Sequence, residues 1–285
     1  MLCQQEGVLP GSDFFFFTPS ATARNLLFYF TSVGHFFCDF GYRVTRKDYG
    51  NYLFLLVKKG RLSVVTSGKK YSVKEGETAL INCHRPHEYS AVGFTEFLWI
   101  HFDGHSTEMF YREITERMYS GPVFHPENDA AIGEMLKNII SGRRYERFGT
   151  EYEDSLAIYE ILMALCGNVS ACTEVKYGVK EQTVKELVRY IDEHLDQDLT
   201  VRDLAEFSGL SESHFTRKFR QIMNSSPKEY IIRRRMNEAK YLLKTTLSPV
   251  KEIAVRVGFH SESHFTNTFT AQNGISPKKF REFPI

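Results

Sequence analysis

Two helical stripes carry the residue types best suited to recognition chemistry. Ser213, Thr216, Arg217 and Arg220 fall at spacings of 0, +3, +4 and +7, and Ser263, Thr266, Asn267 and Thr270 repeat that spacing. Residues so spaced share one face of an α-helix. Hydroxyl, amide and guanidinium groups on such a face match the donors and acceptors that base pairs present in a major groove, where Arg pairs bidentately with guanine. The same pattern also fits a plain solvated face. A second constellation, Cys83, His84 and His87 with His101 in reserve, has metal-ligand residue types. A metal site needs three or four converging donors, and adjacent Cys83 and His84 point to opposite faces if they lie on a strand. The chain has no G-x-S-x-G elbow, no G-x-x-x-x-G-K loop and no G-x-G-x-x-G fingerprint. These readings predict no catalytic residue, no metal and no cofactor.

The stripes sit inside an internal repeat. Leu204-Ala205, Gly209, Ser211-Glu-Ser-His-Phe-Thr216, Phe219, Ser226-Pro227 and Tyr230 recur as Ile253-Ala254, Gly258, Ser261-Glu-Ser-His-Phe-Thr266, Phe269, Ser276-Pro277 and Phe280. Each copy reads as two helices around a tight turn. Thr200 with Asp203 resembles a capping box, Gly209 supplies a permissive backbone at the turn, and Ser211 caps the second helix. Phe215, Phe219 and Ile222 form the stripe to be buried, as do Phe265 and Phe269 in the second copy. Pro227 starts a helix that runs through Lys244 and joins the copies. A stiff connector of this kind would hold two recognition helices about 34 Å apart, one turn of B-form DNA. Arg217 to Lys244 holds nine basic residues against Glu229 and Glu238, a concentration that suits a polyanion. Paired amphipathic helices also occur in bundles and solenoids, and that alternative stands on spacing alone.

The rest of the chain has another texture. Leu53–Val57, Leu62–Thr66, Lys69–Val73, Thr78–Asn82 and Phe94–Phe102 are strand-like and punctuated by Gly60, Gly68 and Gly76, which predicts a sandwich or small barrel. Met109–Met118, Ala130–Ile140 and Tyr152–Leu165 have helical spacing, and Leu156, Tyr159 and Met163 share a stripe of the last. Residues 168–182 lack a clear period and are the expected linker. The chain therefore divides into 1–167, the linker, and 183–285. From residue 180 on there are 18 Lys and Arg against 14 Asp and Glu, so the net charge of +1 conceals a basic second part. Five Cys, an N-terminus without a basic and apolar leader, and no apolar run near 20 residues predict a cytoplasmic protein with reduced thiols and no membrane partner. Cys38 and Cys166 read as buried thiols, and Lys69-Lys70 as a solvated turn.

With these motifs in place the sequence resembles the AraC/XylS family of transcription regulators. The likeness is dense over about 185–283: the L-A…G-S…F…F…S-P pattern from Leu204, then Arg235, Ala239, Leu242 and Leu243, then I-A…V-G-F from Ile253 and G-I-S-P…F-R up to Arg281. Asn224, where the family often has Gly, and His214 and His264, where Tyr is common, depart from it. The first part resembles the family's cupin-like barrel more loosely, through Tyr52–Gly60, Gly76…Pro86-His87…Tyr89 and Trp99-Ile-His-Phe102. The His-x-His pair of a metal-binding cupin is absent from Tyr42 to Thr66. The resemblance implies an α+β chain: an N-terminal cupin-like β-barrel with following helices, then an all-α double helix-turn-helix domain. It implies contact with double-stranded DNA through Ser213, Thr216, Arg217 and Arg220 in one groove and Ser263, His264, Thr266 and Asn267 in the next. It implies a small-molecule effector, often a sugar, lined by Arg46, His87, Tyr89 and Trp99. It further implies a homodimer, with Tyr152–Leu165 as the seam or else as a cover for the barrel, and recruitment of RNA polymerase by an activator. The competing readings are a metal-dependent cupin enzyme fused to a helical interaction domain, and a protein-binding module.

Overall fold

The computed structural model describes residues 5–126, 129–144, 150–166, 182–223 and 225–283. The expected linker lies outside them apart from Gln182, as do Asn224 and the side chain of Ile222.

Among the described residues of the first half there are ten strands: β1 (Asp13–Phe16), β2 (Tyr29–Cys38), β3 (Arg43–Arg46), β4 (Tyr52–Lys59), β5 (Arg61–Thr66), β6 (Lys69–Lys74), β7 (Thr78–Asn82), β8 (His87–Ala91), β9 (Thr95–Asp103) and β10 (Val123–Phe124). They make a six-stranded sheet in the order β1-β2-β9-β4-β7-β10 and a four-stranded sheet in the order β3-β8-β5-β6. All pairings are antiparallel. Lys69 and Lys70 open β6 rather than forming a turn; the turn is made by Ser67 and Gly68, both at positive φ. The strands β4 and β9 read as unbroken apolar runs because both faces of their sheet are covered. Leu53, Leu55, Val57, Phe97 and Trp99 point into the barrel, while Phe54, Leu56, Leu98, Ile100 and Phe102 point outward onto helices. Those helices are α3 (Asp129–Arg144) and α4 (Glu151–Leu165), which bury Ile132, Leu136, Ile158, Ile161 and Leu162. The shorter α1 (Ala21–Leu26) and α2 (Thr107–Arg112), the latter continued by a π-helical turn over Glu113–Met118, complete this half. Cys38 is buried but Cys166, at the end of α4, is only half-buried.

The second half is helical: α5 (Gln182–Glu193), α6 (Val201–Phe207), α7 (Glu212–Met223), α8 (Pro227–Thr245), α9 (Val250–Arg256), α10 (Glu262–Asn273) and α11 (Pro277–Glu282). Thr200 and Asp203 form a reciprocal capping box for α6, and Ser226 and Glu229 do the same for α8 behind Pro227 at its first turn. Gly209 and Gly258 take φ of +65° and +81° at the two hairpin turns. At Gly258 a Cβ would lie 2.2 Å from the Leu195 carbonyl oxygen, so only glycine fits. The 19-residue α8, about 28 Å long at 1.5 Å per residue, belongs to both hairpin cores. Tyr230 and Ile231 pack with Leu204, Ala205, Phe215 and Phe219, whereas Met236, Ala239, Leu242 and Leu243 pack with Ile253, Ala254, Phe265 and Phe269.

The two halves touch through β1 and α8. Phe14 meets Tyr241 with ring centroids 5.6 Å apart and Phe16 meets Phe280 at 5.5 Å. Arg233 on α8 pairs with Glu151 on α4 at 2.6 Å, and Glu151 also accepts from the Ser20 backbone and hydroxyl.

Candidate nucleic-acid interface and effector chamber

In α7 the residues Phe215 and Phe219 are buried and hold the helix against α6 and α8, while Ser213, Arg217 and Arg220 are exposed and Thr216 is half-buried beside them. Glu212, Ser213, Thr216, Arg217 and Arg220 line one open groove. The arrangement repeats in α10: Phe265 and Phe269 are fully buried, Ser263, His264 and Asn267 are exposed, and Thr266 is half-buried. The His264 ring leans edge-on against Phe259, 5.2 Å between centroids, which leaves its polar edge accessible. Thr270 turns its hydroxyl back to the Thr266 carbonyl. All eight sequence-predicted DNA-facing residues therefore lie on the polar sides of two helices joined by one rod.

The basic stretch behaves differently from the sequence expectation. Arg234 is half-buried and paired with Asp192 of α5 at 2.6 Å. Arg235 donates to the carbonyls of Leu195 and Gln197, Lys240 to the Phe17 carbonyl and the Thr18 hydroxyl, and Lys244 to the carbonyls of Arg281 and Phe283. Much of this positive charge serves internal packing, so the outward charge at the first stripe rests on Arg217 and Arg220.

Inside the barrel, pairing of β3 with β8 sets Arg46 directly opposite His87. Tyr89 follows on the same face, and Trp99 projects from β9; all four are buried. A Cβ at Gly34 would lie 2.5 Å from the Trp99 ring, so glycine on the neighbouring strand makes the space the indole fills. The Arg46 guanidinium stacks 3.7 Å above the Tyr49 ring. Burial, and then the Arg46 charge, hold His101 well below its ordinary range. Neutral His101 shares its Nδ1 with Asn51 Oδ1 at 2.9 Å, and its Nε2 faces Arg46 at 3.5 Å. Burial also lowers the pKa of His87. Its Nδ1 donates to the Arg85 carbonyl, which leaves Nε2 as a bare acceptor, and that nitrogen is buried with no partner. The Trp99 Nε1 donor is likewise buried without a partner. The barrel interior thus holds one buried acceptor and one buried donor without partners, atoms whose hydrogen-bonding capacity a polar group entering the barrel would satisfy. Sequence reasoning missed Tyr49 and Asn51, and it considered His101 only as a metal ligand. The i, i+2 relation of Trp99 and His101 on a strand was the available signal for His101.

Cys83 is buried just past β7, while His84 is exposed and faces Asp103 at 3.5 Å. Among the described residues no three His, Cys, Asp or Glu side chains are placed to share a metal ion, and no helix is long and apolar enough to cross a membrane.

A family model described as the AraC-like ligand binding domain matches residues 29–162, and a helix-turn-helix domain model matches residues 204–282. The regulatory protein SoxS of Salmonella typhimurium is 34% identical over 101 residues, covering 35% of this chain and 94% of that protein. The chain belongs to the AraC family of transcriptional regulators. This AraC-family chain is also similar along most of its length to YisR, an uncharacterized HTH-type transcriptional regulator of Bacillus subtilis, at 26% identity over 251 residues, 80% of this chain and 84% of that one. The arabinose operon regulatory protein of Escherichia coli is 24% identical over 236 residues, 81% of this chain and 80% of that one. The AraC-like chamber and the paired hairpins described above are the parts these matches cover.

Proposed function

We propose that this AraC-family regulator is a cytoplasmic activator that reads a specific DNA site with α7 and α10 and answers to a hydroxyl-bearing effector, a sugar, held in the barrel. The observation that carries the DNA reading is the pair of exposed stripes, Ser213, Thr216, Arg217 and Arg220, and Ser263, His264, Thr266 and Asn267, each anchored by two buried phenylalanines. Arg217 reads a base and the flanking hydroxyls position the helix. Lys and Arg around the stripes neutralise phosphates and release counterions, which makes binding salt-dependent. The effector reading rests on the orphan His87 Nε2 and Trp99 Nε1, with Arg46 and Tyr89 completing the lining. The sugar class is favoured by what the arabinose operon regulator's name says of that protein. The effector alters transcription by binding one arrangement of the two halves better than the other.

The domain boundaries 1–167 and 183–285 and the homodimer belong to the same reading. On α4, Tyr152, Leu156 and Tyr159 are exposed on one stripe while the opposite side covers the barrel. The helix thus serves as cover and offers an apolar seam to a second copy, which pairs two double hairpins on repeated half-sites and presents RNA polymerase with a fixed platform. Selection of bound fragments from a random duplex library by the purified chain tests the proposal. A recurring motif with two major-groove segments supports it, and no enrichment at any salt concentration overturns it in favour of a protein-binding module.

A further inference from the structure

Four helices of the second half, α6, α7, α8 and α10, start at a serine or threonine cap, but the acid that follows the cap does not always stand in the same place. In α6 and α8 it stands three residues on, as Asp203 and Glu229, and accepts from the cap's own amide, Thr200 or Ser226. In α7 and α10 that third position is His214 or His264, whose amides donate to the Ser211 and Ser261 hydroxyls at 3.4 and 3.1 Å. The acids here, Glu212 and Glu262, stand directly after the cap, where a side chain cannot reach back to close a capping box. Both are exposed. Glu212 instead lines the open groove with Ser213, Thr216, Arg217 and Arg220. Arg202 of α6, which feels the Glu212 charge, is paired with Glu206 at 3.0 Å. A carboxylate facing phosphates weakens binding to DNA of any sequence, so it is an unusual group to place at the mouth of such a groove. The N-terminal residues of a recognition helix are also those that meet base edges. A carboxylate only accepts hydrogen bonds, and the major-groove donor that suits it is the cytosine N4 amino group. Adenine N6 lies beside the N7 acceptor, which repels a carboxylate and suits an amide.

We propose that Glu212 and Glu262 are specificity-determining residues, each selecting a cytosine, and that with Arg217 and Asn267 they fix the base classes of the operator. The inference rests on the DNA reading above. Arg217 and Asn267 hold the same place in the two copies of the repeat. Arginine pairs with guanine and asparagine with adenine. Each lies five residues beyond its glutamate, about 7.5 Å along the helix axis, or roughly two base-pair steps at about 3.4 Å each. One major-groove segment of the site then carries a cytosine and a guanine about two pairs apart. The other, about one helical turn away, carries a cytosine and an adenine at the same spacing. The shared glutamates make the two segments alike, and the exchange of arginine for asparagine makes them distinct, so one chain lies on its site in a single direction.

The test is selection of bound duplexes from a random library by the full chain and by Glu212→Gln, Glu262→Gln and Arg217→Ala, followed by fluorescence anisotropy on the selected site. Arg217→Ala marks the guanine that sets the register. In each glutamine variant one cytosine position should turn to adenine, with the other positions kept, because glutamine pairs with adenine. Replacing either cytosine should weaken the parent chain by about five-fold or more, and the matching glutamine variant should lose that preference without binding scrambled duplex more weakly. Both glutamates are exposed, and thermal unfolding of the same preparations checks that the fold is kept. A parental motif with the Arg217 guanine but no cytosine near it overturns the proposal. So do glutamine variants that select the parental motif unchanged, which would leave the glutamates as charges favouring a helix start. Either result leaves the DNA reading intact, whereas a parent chain that enriches no motif removes that reading and this proposal with it.

Discussion

Arg217 and Arg234 lie in the same basic stretch, and the structure gives them opposite tasks. Arg217 is exposed and makes no ion pair among the described residues, so Arg217→Ala should leave stability within about 0.5 kcal/mol. Loss of one base-reading guanidinium should cost about 1–3 kcal/mol on the operator, or roughly 5- to 150-fold in Kd. On scrambled duplex only a general phosphate attraction is lost, so the specificity ratio should collapse. Arg234 and Asp192 are 15% and 13% exposed and 2.6 Å apart, tying α8 to α5. Arg234→Ala leaves the half-buried Asp192 carboxylate without its cation and should cost about 1–3 kcal/mol, or roughly 2–12 °C in Tm for a chain of this size. The assay is fluorescence anisotropy on operator and scrambled duplexes at several salt concentrations, beside thermal unfolding. An equal affinity loss on both duplexes for Arg217→Ala would refute the base-reading role. An unchanged Tm for Arg234→Ala would refute the claim that the stretch is consumed in packing.

Three further outcomes follow from the geometry. Gly34→Ala places a Cβ against the Trp99 ring and should cost about 1–3 kcal/mol while displacing the indole; Trp99 is the chain's one tryptophan, so a shifted emission maximum and a lost effector response report it, and unaltered emission contradicts the chamber. Leu156→Lys should shift sedimentation from dimer to monomer without lowering Tm, because that side chain is 48% exposed; an unchanged dimer removes α4 as the seam. Lys240 has an ordinary pKa of 10.5 and is held at about 7 when folded. Between those values the unfolded chain binds more protons, so this group's contribution to stability rises with pH across the window and its penalty is full below pH 7. Lys240→Met should therefore gain more stability over the parent at pH 6 than at pH 9, and a pH-independent difference in unfolding free energy would contradict the burial.

What the sequence disclosed was mostly local. The hairpins were legible from Thr200 and Asp203, Gly209, Pro227 and the paired phenylalanines, because caps, turns and helical spacing act within a few residues. The turn at Gly60 and the strands beside it were legible for the same reason. The barrel lining was legible only through family likeness, since Arg46 and His87 are set side by side by the pairing of β3 with β8 while Trp99 comes from β9 in the other sheet. The long β2 strand was hidden in an aromatic run with no clear alternation, as both its faces are covered. Least visible was the docking of α8. Lys240 reads as a surface charge in the sequence, and only contact with Phe17 and Thr18, far away in the chain, makes it a buried one.

The account stands on α7 and α10 being held at a fixed separation by α8. The direct measurement is affinity for an operator in which five base pairs are inserted between the two segments contacted by one chain. The insertion turns the second groove to the opposite face of the duplex, so the rod predicts that specific binding is lost, leaving only the salt-sensitive background. Undiminished specific affinity for the lengthened site would mean that the two helices do not read DNA as one rigid unit.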